Sequence, residues 1–195
     1  MAWAAWLTSE AAKILDEASA MKFFETKIPG VFEIRPELIK DNRGFFARCW
    51  CQEEFASHGL DSRLAQCNIS GSLRKGTLRG MHYQTAPFAE TKLVRCTRGA
   101  IFDVALDLRP DSPSYKRWTA ALLTAENHHM FYIPEGCAHG FLTVENDCEV
   151  FYQMSQCYHP EAARGVRWDD PAFGIDWPEK VEVISTRDAS YPDFV

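Results

Sequence analysis

The stretches Gly76–Gln84, GTLRGMHYQ, and Ile133–Phe141, IPEGCAHGF, decide the fold of this chain. Each contains one histidine, His82 or His139, among small and apolar residues. The residues between the two stretches have the pattern of strands and turns. Two histidines on separate strands can meet only if the sheet folds back on itself, so the stretches predict a closed or face-to-face β structure.

Further strands are predicted outward from these two stretches. They recur at a spacing of roughly 8–12 residues with Gly, Pro, Asn or Asp between them, which is typical of an all-β sandwich or barrel. The predicted strands are 63–70, 78–84, 92–97, 100–108, 117–124, 129–133, 139–144 and 148–155. In 100–108, apolar residues alternate with polar or small ones, which predicts a half-buried strand. Gln52–His58, followed by Gly59, predicts one of a few short helices.

Composition limits the class of protein. A chain of 195 residues is most simply one domain. Its net charge of -6 argues against a nucleic-acid partner, and it has no apolar run of the roughly 18 residues that cross a membrane. The cysteine count of 7 is odd and no C-x-x-C pair occurs, so we expect reduced thiols in a cytoplasmic protein.

Residues 1–20 differ in pattern from the rest. Trp3, Trp6 and Ile14, with alanine and glutamate between them, suggest a short amphipathic helix. A signal peptide is a poor fit because no Lys or Arg precedes the apolar part. We therefore expect an N-terminal extension over 1–20 and one domain over 21–195.

The histidine stretches permit two chemistries. A metal site is disfavoured, because Gln84 stands where metal-binding barrels of similar pattern place another histidine and no carboxylate lies near. Acid–base chemistry needs only a histidine with an orienting partner, and Asp169-Asp170 offers carboxylates that a folded-back chain could supply.

Other side chains would complete such a site. Tyr152 could supply a weak acid, while Arg79 and Lys92 could hold phosphates or a developing oxyanion. Taken singly, each of these residues is more often an ordinary core or surface residue. Together they suit proton transfer beside a carbonyl in an anionic substrate.

Several motifs occur together in a familiar order. GTLRGMHYQ, KLVRCTRGAIFDVALDLRPDSPSYKRW, YIPEGCAHGF, ARGVRWDDP and FGIDWP resemble the dTDP-4-dehydrorhamnose 3,5-epimerases, from about Pro29 to Pro178. The resemblance implies a cupin-type jelly-roll barrel, usually a homodimer, with no metal or organic cofactor. It implies an enzyme that inverts C3, C5 or both in a nucleotide-linked 4-keto-6-deoxyhexose.

The resemblance also implies roles for individual residues. His82 matches the general base, Asp170 the carboxylate that pairs with it, and Tyr152 the acid on the opposite face. Lys92 matches a lysine near the C4 carbonyl. The positions that match substrate contacts are Arg43, Gln66, Asn68, Arg79 and His139.

Two substitutions and one insertion, relative to the family pattern, bear on the substrate. Arg48 and Ala163 stand where the family often has glutamate, and one residue is inserted between Asn68 and Arg79. We therefore expect that the nucleotide could differ from dTDP, with CDP the first alternative. Three further alternatives are a single-centre epimerase, a keto-isomerase that would not need Tyr152, and a non-catalytic sugar-binding protein.

Overall fold

The computed structural model describes residues 20–194, which form mainly antiparallel strands and two short helices. The strands are β1 (Lys22–Glu25), β2 (Phe32–Arg35), β3 (Ile39–Asp41), β4 (Gly44–Phe46), β5 (Gln66–Ser72), β6 (Thr77–Gln84), β7 (Lys92–Arg98), β8 (Ala100–Asp107), β9 (Trp118–Thr124), β10 (Met130–Ile133), β11 (Cys137–Thr143), β12 (Cys148–Met154), β13 (Ala163–Gly165) and β14 (Val183–Ile184). The helices are α1 (Gln52–Ser57) and α2 (Thr186–Ala189).

The strands build two sheets and a hairpin. The first sheet has the order β1-β2-β10-β7-β12-β5, and the second has the order β13-β6-β11-β8-β9, with β14 added parallel to β6. Strands β3 and β4 form the separate hairpin. The two sheets enclose one apolar core, so the predicted all-β jelly-roll class with a few short helices is confirmed.

The inner faces of the sheets share one core. Val94 and Val150 from the first sheet pack with Ile101 and Leu123 from the second, and all four are fully buried. Burying a side chain of this size stabilises the fold by about 1.5–3 kcal/mol. This apolar packing fixes the two sheets relative to each other. Polar side chains from both sheets face the same interior.

Strand β8 is buried on both faces, so the prediction of a half-buried strand there is wrong. Its inner face joins the core through Ile101 and Ala105. Its outer face, which includes Val104, packs under Val166 and Phe173 from the chain that follows β13. The late loops cover a surface that alternation alone assigns to solvent.

Glycines let the two histidine-bearing strands approach closely. A Cβ on Gly80 would lie 2.4 Å from the Cα of Gly140, and a Cβ on Gly140 would lie 2.6 Å from Met81 Sδ. Gly80 also has φ +140°, a region that favours glycine. Gly80 of GTLRGMHYQ and Gly140 of CAHGF are therefore needed for the contact between β6 and β11.

The extension expected over residues 1–20 lies outside the described residues except for Ala20. Within residues 20–194, no helix has the length and apolar character needed to cross a membrane.

Candidate active site

His82 and His139 are direct partners in the register between β6 and β11. Both line a cavity of about 560 Å³, together with Lys92 and Tyr152 from the first sheet. A second cavity of about 360 Å³ adjoins it and is lined by His82, Lys92 and Tyr152 as well. The predicted meeting of the two histidines is confirmed, and the space is of the size that binds small molecules.

His82 forms a hydrogen bond with Asp188, and we call these two residues the outer pair. His82 Nε2 lies 2.7 Å from Asp188 Oδ1, and the backbone N–H of Gly80 donates to Oδ2 over 3.4 Å. Burial alone would raise the pKa of Asp188, but the hydrogen bond and charge of His82, with hydrogen bonds from Gly80 and Ser185, leave the pKa below its ordinary value. An ionised carboxylate therefore faces the imidazole.

The expectation that Asp170 pairs with His82 is wrong. Asp170 is 2% exposed, and its two oxygens accept the backbone N–H groups of Ala172 over 2.8 Å and Phe194 over 2.6 Å. The turn that contains Asp170 uses the carboxylate to bind backbone. His82 meets the carboxylate of α2 instead.

His139 has its own carboxylate, Asp103 on the neighbouring strand β8, and we call these two residues the inner pair. His139 Nε2 lies 2.8 Å from Asp103 Oδ1, and both side chains are buried. Burial raises the pKa of Asp103, while the charge of His139 opposes that rise. The inner pair spans the adjacent strands β11 and β8, and its histidine is the register partner of His82 on β6.

Lys92 carries a positive charge into the interior from β7. Its Nζ lies 2.5 Å from Glu90 Oε1 and donates to the carbonyl oxygen of His82 over 3.4 Å. Both Lys92 and Glu90 are buried, so the pair is shielded from water and its attraction is strong. Lys92 thus reaches across to the strand that holds the candidate base.

Tyr152 lies on β12, in the sheet opposite His82. Burial raises the pKa of its phenol, and the charge of Arg79 opposes that rise only in part. The phenol is therefore protonated at neutral pH and can donate a proton. A histidine and a phenol on opposite walls of one cavity have the arrangement needed for proton exchange on two faces of a substrate.

Comparison with known proteins agrees with this geometry. A family model described as dTDP-4-dehydrorhamnose 3,5-epimerase matches residues 25–195. The chain belongs to the dTDP-4-dehydrorhamnose 3,5-epimerase family. Members of this family are isomerases with a cupin-type barrel, which confirms the family, fold and enzyme class that the sequence motifs implied.

Individual members are similar over most of their length. The dTDP-4-dehydrorhamnose 3,5-epimerase of Sinorhizobium fredii (strain NBRC 101917 / NGR234) is 44% identical over 177 residues, covering 90% of this chain and 91% of that protein. A Bacillus anthracis (strain Ames) enzyme of the same name, solved with TDP and PPi bound, has 37% identity and a TM-score of 0.86, covering 90% of this chain and 100% of that one. ChmJ of Streptomyces bikiniensis, a 3'-monoepimerase in complex with dTDP-quinovose, has 34% identity and a TM-score of 0.80, covering 86% of this chain and 85% of that one.

Besides His139, three of the residues expected to contact substrate line the cavities. Arg79 lines the larger one and donates to the carbonyl oxygen of Gly71 over 2.8 Å. Gln66 and Asn68 line the smaller one and are joined by a side-chain hydrogen bond of 3.1 Å. These residues form a polar entrance beside the histidines.

Arg43, like Asp170, is a predicted site residue that the structure leaves outside both cavities. It lies in the turn between β3 and β4, its side chain is 86% exposed, and it forms an ion pair with Asp41. Arg48, one of the two residues expected to depart from the family pattern, pairs with Glu54 over 2.6 Å. Ala163, the other, lines the smaller cavity.

Sequence reasoning missed four polar residues of this epimerase site: Asp103, Glu90, Arg187 and Asp188. Ser185 accepts a hydrogen bond from the backbone N–H of Asp188, so the Ser-x-x-Asp spacing of an N-cap was a readable signal for α2. Arg187 precedes Asp188 and lines both cavities. Within residues 20–194 no group of three or more His, Cys, Asp or Glu side chains is arranged to hold a metal.

Proposed function

We propose that this chain inverts C3, C5 or both in a dTDP-linked 4-keto-6-deoxyhexose by acid–base proton transfer. The single observation that carries the proposal is the outer pair and Tyr152 on opposite walls of one cavity, with Lys92 between the sheets. The names of the related enzymes support the substrate class.

The proposed mechanism uses the acidity of hydrogens beside a ketone. His82 removes the proton from the carbon next to the C4 carbonyl, and Asp188 fixes the imidazole and stabilises its charged form. The ammonium of Lys92 stabilises the enolate oxygen, since a preorganised cation in a buried site acts on charge as it develops. Tyr152 then returns a proton to the opposite face. Exchange with solvent water removes the proton from His82 and restores that of Tyr152, so repetition at the other carbon can invert the second centre.

The remaining predicted residues are proposed to hold the substrate. Arg79 and Arg187 are exposed cations at the cavity and suit a diphosphate, while Gln66, Asn68 and His139 suit sugar or nucleotide oxygens. We propose dTDP as the nucleotide, because the similar structures contain TDP or a dTDP sugar. The CDP sugar is the comparison that tests this choice, because Arg48 and Ala163 remove two negative charges from the family pattern.

We also propose a homodimer. Strand β5 is an edge of the first sheet and exposes Ile69 (68%), and the β3–β4 hairpin exposes Phe45 and Phe46 (53% and 63%). Arg43 lies on that hairpin, so it contacts a substrate only if a second chain places it there.

Mixed subunits test the dimer and the role of Arg43 together. Chains with Arg43→Ala and chains with His82→Asn are each expected to be nearly inactive. Mixing them should restore activity, because one site of a mixed dimer receives both native residues. Failure of the mixture to recover activity, when both variants fold, would contradict the shared site.

We propose a cytoplasmic location, supported by the absence of disulfides among the 7 cysteines, all of which lie in the described part of the chain.

Solvent-exchange NMR tests the reaction. The protein is incubated in D2O with dTDP-4-keto-6-deoxyglucose and, separately, with its CDP counterpart. We expect deuterium at C3 and C5 of the dTDP sugar, none with His82→Asn, and slower uptake with Tyr152→Phe. Absence of exchange with both sugars would reject the epimerase proposal and favour a sugar-binding protein.

A single-centre epimerase is the second candidate, because ChmJ shares the fold and is a 3'-monoepimerase. Deuterium at one carbon only would identify it. The keto-isomerase is less well supported, since it has no use for a protonated phenol opposite the histidine.

A further inference from the structure

The outer pair depends on a segment that follows the barrel in sequence, residues 183–194, which we call the strap. The strap begins with β14, where Val183 and Ile184 pair with Thr77 and Leu78 of β6. It continues as α2, a helix of 4 residues that includes Asp188. A single turn of helix is not stable by itself, so the position of Asp188 depends on how both ends of the strap are held.

The far end of the strap is fastened to the turn that contains Asp170. The backbone N–H of Phe194 donates to Asp170 Oδ2 over 2.6 Å, and the ring of Phe194 lies 5.1 Å from that of Phe173. Midway, Tyr191 covers Gly165, whose added Cβ would lie 2.2 Å from the ring. The strap is therefore held at β14, at Gly165 and at Asp170.

The contact at Asp170 differs from the others in its charge and burial. A hydrogen bond from a backbone N–H to a carboxylate is about twice as strong as a neutral one. Asp170 is only 2% exposed, and its other oxygen accepts the backbone N–H of Ala172. In the nearby ion pair between Arg167 and Asp193, the Asp193 side chain is 71% exposed, so this pair contributes little to holding the strap.

We infer that Asp170 is a positioning residue that fastens the strap and so holds Asp188 against His82. Asp170 touches neither His82 nor the cavities. Its effect passes through Phe194 and the strap to α2. The inference rests on the proposed function for its kinetic readout, and it has a second readout that does not require activity.

A double-mutant cycle tests this inference. In Asp170→Asn, one of the two backbone N–H groups loses its acceptor, so we expect kcat to fall on the order of tenfold with KM unchanged. In the Asp188→Asn background the outer pair is already altered, so adding Asp170→Asn should lower kcat no further. Multiplying effects in the double variant, or a wild-type kcat in Asp170→Asn, would overturn the inference.

The second readout is the ring ¹⁵N chemical shifts of His82 in the full chain. They should move in Asp170→Asn part of the way toward their values in Asp188→Asn, whether or not a sugar is turned over. The matched control is Asp193→Asn, which removes the exposed ion pair next to Phe194 and should match the wild type in both kcat and shifts. Unchanged His82 shifts in Asp170→Asn would overturn the inference, while inactivity of the wild-type protein would reject only the proposed reaction.

Discussion

The outer and inner pairs have nearly equal hydrogen bonds, 2.7 and 2.8 Å, but different structures hold them. In the inner pair the partners lie on adjacent strands, and the register of β8 and β11 fixes their distance. In the outer pair the partners are 106 residues apart, and a four-residue helix supplies the carboxylate. Sheet register is rigid, whereas the strap is held by a few contacts that single substitutions can release.

The surroundings of the carboxylates Asp103 and Asp188 also differ, in burial and in hydrogen bonding. Asp103 is fully buried and its Oδ2 has no hydrogen-bond partner among the described residues, so burial raises its pKa. Asp188 receives hydrogen bonds from His82, Gly80 and Ser185 that together lower its pKa. The outer pair is thus built to keep a charge beside an imidazole that is 42% exposed to the cavity.

The largest expected effect separates the two histidines. His82→Asn removes the proposed base and should lower kcat by about 10³-fold, within the range for general acid–base catalysis. His139→Asn removes a group proposed to bind substrate. Its fold-loss of kcat should be at least ten times smaller than that of His82→Asn. The measurement is the rate of deuterium uptake by the keto sugar, and equal losses would contradict the assignment of His82 as base.

A second substitution is expected to destabilise the sheet that holds the inner pair. Gly140→Ala places a Cβ 2.6 Å from Met81 Sδ and 3.0 Å from the carbonyl oxygen of Arg79, so β6 and β11 must separate. We expect the free energy of unfolding to fall by about 2 kcal/mol or more, measured by urea denaturation. Gly71→Ala is the control, because a Cβ there meets nothing within 4 Å. A Gly140→Ala protein as stable as the control would contradict the close approach.

A third prediction compares the carboxylates by pH. The pKa of Asp188 is lowered on folding, so its contribution to stability is present above its ordinary value near 3.8 and is lost as pH falls through the lower folded value. The pKa of Asp103 is raised, so its ionisation destabilises the fold as pH rises above about 3.8.

The two asparagine variants should therefore differ in sign. As pH rises from strongly acidic to neutral, Asp188→Asn should become less stable relative to the wild type, and Asp103→Asn more stable. Thermal melts across this range measure the difference in Tm. Parallel trends in the two variants would show that the carboxylates have similar surroundings after all.

The smallest expected effect concerns the strap alone. Gly165→Ala would place a Cβ within 2.5 Å of two ring atoms and the phenol oxygen of Tyr191, so the ring must leave β13. Tyr191 is half-buried, so we expect a small change in Tm but a fall in kcat of about threefold through displacement of α2. A large loss of Tm with unchanged kcat would mean that Tyr191 supports the barrel more than the strap.

The sequence predicted the parts of the site that lie on long strands. Alternating and apolar runs located β6, β7, β11 and β12, and with them His82, Lys92, His139 and Tyr152. These positions follow from local periodicity, which is the strongest signal in a single sequence.

The carboxylate partner could not be found in the same way. Asp170 and Asp188 both lie in short, irregular segments, where no periodicity indicates which side chain faces the interior. The Asp170 turn satisfies its carboxylate with backbone N–H groups, a use that composition alone does not separate from pairing with His82. The choice between them depends on the long-range docking of the strap.

The order of the strap in the sequence has a consequence for synthesis. Every barrel strand from β1 to β13 precedes residues 183–194, so a ribosome completes the whole enclosure before Asp188 emerges. Because nascent chains fold from their N-terminal side as they are made, the barrel can form while its histidine still lacks its carboxylate. The chain would therefore acquire proton-transfer chemistry only after its barrel, when the strap docks on β6.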